Sequence, residues 1–330
     1  MVTLLLTEQL TVLFLMMGCG FVLVKTKIVK SRDSKTLSLI SVYLIMPCVI
    51  INAFQIDYSK EIQDGFLLAL FAAVIIHLLL FLICGILGKF LNLTSVEKAS
   101  LIYSNAGNLI IPLVTSVLGS EWVIYSSGFM CVQTLLLWTH AQSVMQGKTE
   151  FNWKKILQNV NLIAIVVGII LFFFHIKLPV IISDTINSLA SLIGPVSMIM
   201  LGMLLTEVDW KALFTSRRIY LMTALKMLVL PLIMVGCMRL LAHHCSLANA
   251  STILLISLLA TITPSATTIT QMAQIYDNHP DYASAINVFT TVVCIVTMPF
   301  MLLLYTLYRN HPCILFFHKI QGCSLFIIHF

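Results

Sequence analysis

Ten apolar stretches follow one another along this chain, each about as long as a bilayer is thick and almost free of charge. They lie near 5–24, 36–56, 66–88, 99–118, 122–144, 159–176, 185–206, 219–241, 249–274 and 282–307, with short polar connections between them. Inside hydrocarbon each segment must satisfy its own backbone N–H and C=O groups, which a helix does. The 330 residues are 59% hydrophobic and 10% charged, with a mean hydropathy of +1.01, too little polar surface to cover a water-facing globule. The expected fold is an all-α polytopic membrane protein of ten transmembrane helices. No basic residue precedes the first stretch and the first cation is Lys25, which predicts a retained span rather than a cleaved leader.

The net charge is +6, but in such a chain the placement of cations says more than their sum, and nucleic acid is not the implied partner. Lys25, Lys27, Lys30, Arg32, Lys35, Lys89, Lys98, Lys148, Lys154, Lys155, Lys211, Arg217 and Arg218 fall in alternate loops on one side. The other side has Lys60, Lys177, Arg239, Arg309 and Lys319, and Lys226 lies within a span. The positive-inside rule then puts both termini outside the cytoplasm of a plasma membrane. Six of the nine cysteines (Cys19, Cys48, Cys84, Cys131, Cys237, Cys294) lie in apolar runs and no C-x-x-C occurs, so they read as packing residues without a disulfide or metal framework.

Landmarks recur about 150 residues apart. Pro47 in span 2 answers to Pro195 in span 7; the polar stretch Ser104-Asn105-Ala106-Gly107-Asn108 before Pro112 in span 4 answers to Thr261 to Thr268 around Pro264 in span 9. Residues 1–150 and 151–307 thus read as two five-helix repeats, and 308–330 as a tail that does not span. An odd number of spans per half inverts the second copy, and inverted repeats with broken helices 4 and 9 point to a secondary transporter with its site at the breaks. A helix broken at mid-bilayer leaves backbone groups without partners, and two crossed breaks bring two positive half-helix ends together, where a carboxylate gains most.

Several pieces of sequence, in order, resemble the auxin efflux carrier family, which includes plant auxin exporters and bacterial malate and organic-acid permeases. They are Asn105-Ala-Gly107-Asn-Leu-Ile-Ile-Pro112-Leu113, then Pro195-Val-Ser-Met with Gly202, Pro264-Ser-Ala, Ala273-Gln-Ile-Tyr276, and the last span from Ala283-Ser284 through Thr290-Thr291 to Thr297-Met-Pro299. The resemblance covers roughly 5–307. It implies a scaffold part and a transport part, substrate beside the crossover near Asn105, Pro112 and Pro264, and a homodimer formed through the scaffold. Ile110 departs from the family's usual glycine two positions before Pro112, which bears on cavity size and substrate choice.

The candidate substrate-binding residues are Asn105, Asn108, Pro112, Pro264, Ser265, Thr267 and Asn52. Asn105 and Asn108, three apart on a helix, would share a face and either donate to a carboxylate or cap the half-helix. The hydroxyls of Thr263, Ser265, Thr267 and Thr268 would meet substrate or bond back to carbonyls one turn earlier. Asn52 and Gln55 in span 2 and Asn287 in span 10 would face the cavity or a neighbouring helix. Lys226, about a third of the way into span 8, would neutralise an anion, act in coupling, or snorkel. His77, 149 positions earlier, occupies nearly the same place in the other half and either titrates during transport or packs as an interior residue. Tyr103, Tyr125, Trp138 and His140 read as interfacial belt residues.

Glu8 is the one acidic residue inside these ten stretches, so the interior offers amides, hydroxyls, helix dipoles and a lysine, which favours an anionic cargo. The expected function is a permease for small organic carboxylates such as malate, needing no cofactor, with H⁺ or Na⁺ coupling left open and the lipid bilayer as its surroundings. The alternatives are a sodium-coupled symporter resembling the bile-acid carriers and a carrier of a non-acid solute. No H-E-x-x-H, G-x-S-x-G or intramembrane aspartate pair supports an enzyme.

Overall fold

The computed structural model describes residues 2–56, 59–147, 158, 160–207, 216–247 and 249–307, so the tail 308–330 lies outside the described residues. Helices dominate them: α1 (Val2–Lys25), α2 (Ser34–Ile40), α3 (Met46–Ala53), α4 (Lys60–Leu91), α5 (Ser95–Ile102), α6 (Ala106–Val117), α7 (Val123–Leu136) and α8 (Gln142–Gln146). The second half supplies α9 (Val160–Phe173), α10 (Val180–Ala190), α11 (Ile193–Leu204), α12 (Arg217–Ala224), α13 (Leu230–His244), α14 (Ala250–Thr261), α15 (Thr267–Ile275) and α16 (Pro280–Leu307). By length and composition, Lys60–Leu91, Val180–Leu204 and Arg217–His244 are apolar enough to cross a membrane among the described residues. A bent pair, Pro280–Cys294 with Val296–Thr306, makes a fourth, its 53° bend falling about four residues before Pro299, where the proline ring meets the helix carbonyls.

Apolar side chains face outward as well as inward. On α4, Leu67, Phe71, Val74, Leu78 and Leu82 form a stripe three and four residues apart, and Leu78 is 61% exposed, while Ala69, Ala73, Ile76, His77 and Leu80 face the interior. In water that stripe would be a liability, whereas hydrocarbon solvates it without cost. The chain is a membrane protein.

Prolines shape the spans locally. Pro47 and Pro231 each sit second in α3 and α13, directly after five-residue π turns at Ser41–Ile45 and Leu225–Val229. A proline ring collides with the carbonyl four residues before it, here Tyr43 and Met227, and widening that turn relieves the clash. The wide turns are closed by Met46 N–H to the Ser41 carbonyl and Leu230 N–H to the Leu225 carbonyl. A third π turn, Leu137–Ala141, has no proline, and nothing in its sequence accounts for it.

The helices sort into two packed groups. In one, α1 and α2 lie on α11, and α3 lies on α9 and α10; in the other, α4 packs on α7 and α14, α13 on α14, and α12 and α15 on α16. The second half of the first broken helix, α6, touches α1 and α11 on one side and α7 and α14 on the other. Close approach within the first group needs glycine: a Cβ on Gly20 would fall on the Ile199 carbonyl, and one on Gly202 on the Met17 carbonyl.

Glu97, read from the sequence as part of a connecting loop, lies inside α5 and is 1% exposed. A capping box with Thr94 starts that helix: the Thr94 hydroxyl accepts from Glu97 N–H, and Glu97 Oε2 accepts from Thr94 N–H at 2.8 Å. Arg218 grips the carboxylate at 2.6 and 2.9 Å, the Tyr282 hydroxyl donates to it at 2.7 Å, and Arg218 also reaches the Leu91 carbonyl at 2.9 Å. The first turns of α5, α12 and α16 are thereby tied together.

Burial by itself would raise the Glu97 carboxyl, but donors from Arg218, the Thr94 backbone and Tyr282 hold it down to about 2. An unfolded glutamate titrates near about 4.3, so the clamp's stabilisation is complete above that pH and is lost as pH falls towards 2. The melting temperature of detergent-purified protein should therefore be unaffected by this group between about pH 7 and 5 and decline below about pH 4. Glu97→Gln should melt lower at neutral pH and lose that acid limb, and an equally steep limb in the variant would place the acid sensitivity elsewhere.

Candidate crossover site

The first break falls at residues 103–105, between α5 and α6. Tyr103 leaves the helix in an extended conformation (φ −95°, ψ 131°), and Asn105 starts α6 as its N-cap. The sequence placed Tyr103 in an interfacial belt, but it is fully buried at the break; its hydroxyl donates to the Leu136 carbonyl at 3.1 Å and lies 2.9 Å from His140 Nδ1. A phenol needs a polar partner when buried, and the last residue of α7 and the π turn after it supply one each.

The second break, residues 262–266, has a plainer cause. Pro264 has no N–H and pushes the residue before it out of the helical region, so α14 ends at Thr261. The Thr261 and Thr263 hydroxyls bond back to the carbonyls of Ser257 and Ala260 at 2.8 and 2.9 Å, satisfying acceptors at the helix end.

The two breaks meet. Asn105 N–H donates to the Pro264 carbonyl at 2.8 Å and Ala266 N–H to the Tyr103 carbonyl at 3.1 Å, with Ser104 and Ser265 in an antiparallel bridge. The Ser104 hydroxyl adds a bond to the Thr261 carbonyl at 2.8 Å. Each half-helix thus finds across the crossing some of the backbone partners that its own break removed.

Side chains from neighbouring spans hold this bridge. Gln133 on α7 clamps Ser104 from both sides, accepting from its N–H at 3.2 Å and donating to its carbonyl at 2.9 Å. On the other break, Asn287 on α16 donates to the Ser265 carbonyl at 2.6 Å, and the Thr290 hydroxyl accepts from Ser265 N–H at 3.2 Å. At both breaks, then, a side-chain amide from a neighbouring helix holds the chain, Gln133 from α7 and Asn287 from α16. Lys226, in the π turn before Pro231, donates to Ser104 Oγ at 2.8 Å, to the Leu101 carbonyl at 3.0 Å and, longer, to the Tyr103 carbonyl at 3.5 Å.

Of the residues singled out from sequence, Asn105, Pro264, Ser265 and Lys226 come together at the crossing, and Thr267 opens α15 directly after it, 7% exposed. Asn105 stands before α6 as its N-cap rather than within the helix. The side chains of Asn108 and Pro112 lie outside the described residues, though the α6 backbone carries both. Ile110 is fully buried in the main core.

His77 is fully buried on α4, with Nδ1 2.7 Å from the Ala73 carbonyl of its own helix and its ring centroid 5.2 Å from Phe129. Its other ring nitrogen has no hydrogen-bond partner among the described residues. It therefore meets the break through its ring, 6.4 Å from that of Tyr103, and not through hydrogen bonds of the kind that Lys226 makes. Asn52 sits elsewhere, donating to Asn187 of α10 at 3.3 Å. Sequence reasoning passed over Gln133, whose signal was an amide in an otherwise apolar run, and over Ser104 as a residue in its own right.

The breaks use four kinds of group: amides, hydroxyls, backbone carbonyls and one ammonium. Neither α6 nor α15 receives a side-chain hydrogen bond from its N-cap residue, Asn105 or Ala266. Their C-terminal counterparts are covered from within, the end of α5 by Lys226 and the end of α14 by Ser104. No curated protein matches the chain. A family model described as "membrane transport protein" matches residues 5–302. The chain belongs to this family of membrane transporters, the auxin efflux carrier family that its break motifs resemble.

Proposed function

We propose that this chain is a secondary carrier for small organic carboxylates such as malate, built from ten spans in two inverted five-helix repeats. It works by alternating access, the group of helices that bears the crossing moving against the group that contains α1, α3 and α11. Both termini lie outside the cytoplasm of a plasma membrane, in keeping with the placement of cations in alternate loops. The observation that carries this reading is the asymmetry of helix ends at the crossing. The negative ends of α5 and α14 are met by the chain's own donors, while the N-terminal ends of α6 and α15 bring their partial positive charge without a side-chain cap. An anion at this place gains from both ends, and the Lys226 ammonium adds a full positive charge beside them.

Counterflow of radiolabelled malate into proteoliposomes, with citrate, lactate and an aromatic acid as competitors, tests the cargo without assuming a coupling ion. Saturable exchange that one or more of the acids inhibits is the expected result. Folded protein that exchanges none of them would remove the organic acids as cargo and favour a sodium-coupled or non-acid carrier.

A further inference from the structure

Breaking the first helix orphans the Leu101 carbonyl. In a continuous helix that oxygen would accept from the N–H four residues on, which is Asn105, but Asn105 N–H is bonded to Pro264 across the crossing. Lys226 Nζ fills the vacancy at 3.0 Å and has a second oxygen, Ser104 Oγ, at 2.8 Å and a third, the Tyr103 carbonyl, at 3.5 Å. An ammonium has three donors and no acceptor, so these three oxygens use its whole capacity. The Ser104 hydroxyl donates onward to Thr261, leaving its lone pairs to face the cation. Among the described residues the second break has no such charge: Thr261 is answered by a hydroxyl, and Ser265 by an amide and a hydroxyl. His77, at the matching place in the other half, bonds its own helix instead.

Two backbone carbonyls and a hydroxyl converging on one positive point, at the negative end of a helix, form the kind of oxygen set that binds a small monovalent cation. We propose that the Lys226 ammonium is a built-in cation occupying this oxygen-lined site. The break then needs no free alkali ion to be stable, and the site takes up a small ammonium or alkali ion only once the lysine side chain has been cut away. This deepens the reading of the crossing as the transport site and bears on its coupling, since a site filled by a tethered charge is closed to sodium.

Thermal melting of the purified full chain tests it, because melting does not depend on which solute is carried. Wild type and Lys226→Ala are melted in choline, sodium and methylammonium chloride at equal ionic strength, choline being too large to enter. The wild type is expected to melt at one temperature in all three salts. Lys226→Ala is expected to melt lower in choline and to recover by at least about 3 °C in methylammonium, sodium or both. Folded Lys226→Ala that ignores all three salts would overturn the proposal, as would a wild type stabilised specifically by sodium. The wild-type comparison stands even where the variant is not recovered. Failure here leaves the organic-acid reading intact, and failure of malate counterflow leaves this one intact.

Discussion

Gln133→Leu is expected to lower transport by more than tenfold and to lower the melting temperature by several degrees. Gln133 is 5% exposed, and its amide is the two-sided partner of Ser104, whose N–H and carbonyl are both buried at the break. Leucine fills much of the same space but offers neither acceptor nor donor. Each backbone group left unpaired in a water-excluded interior costs ~1–3 kcal/mol, and two are lost together. The bridge between the breaks and the Lys226 bond to Ser104 depend on the same residue, so its displacement would disturb the whole crossing. Gln133→Glu separates packing from hydrogen bonding, since an ionised carboxylate can still accept from Ser104 N–H but cannot donate to its carbonyl. It should fall between wild type and leucine, and wild-type melting and transport in Gln133→Leu would mean that the clamp is dispensable.

Asn105→Ala should have the opposite profile, with transport nearly abolished and the fold retained. The backbone N–H of Asn105 bonds the Pro264 carbonyl, and alanine keeps that bond. Replacing a capping asparagine usually costs about 1 kcal/mol, but here the side chain makes no capping bond to α6, so that penalty does not apply. What alanine removes is the amide beside the uncapped helix end. A hydrogen bond to a charged ligand is worth ~1.5–3 kcal/mol, so exchange of the carried acid should fall by about 10- to 100-fold. Asn105→Asp should be worse still, because it sets a carboxylate against an anion. Normal exchange by Asn105→Ala, at wild-type melting temperature, would take substrate binding away from this residue.

The membrane class, the helical content and the two breaks were legible in the sequence because each rests on a local signal. Long apolar runs specify helices in lipid, and Pro264 stops α14 by a constraint that acts within a few residues. The first break was legible only as a polar interruption. No proline or glycine falls at residues 103–105, and the helix opens there because Tyr103, Ser104 and Asn105 are held by Leu136, Gln133 and Pro264, which are between about 30 and 160 residues away. For the same reason Tyr103 read as a belt residue: a tyrosine near the end of an apolar run is ambiguous until its hydroxyl's partners are known. Glu97 was misplaced because its loop-like neighbours hide a capping box whose carboxylate is needed by Arg218, 121 residues on. Lys226 was visible as a cation in hydrocarbon, but its aim at the break comes from a π turn that one proline downstream helps to set. The match between Gln133 and Asn287 was hidden because neither residue type marks a break; only the crossing reveals that both answer to one.

The central claim is that the crossing opens in turn to the two sides of the membrane, and the accessibility of a single cysteine there tests it most directly. Thr267, 7% exposed at the start of α15, is replaced by cysteine after the nine native cysteines have been removed, and a membrane-impermeant thiol reagent is applied from one face or the other. The account predicts labelling from both faces, each slowed by the acid that the carrier exchanges. Labelling from one face alone, at a rate that the exchanged acid leaves unchanged, would contradict it.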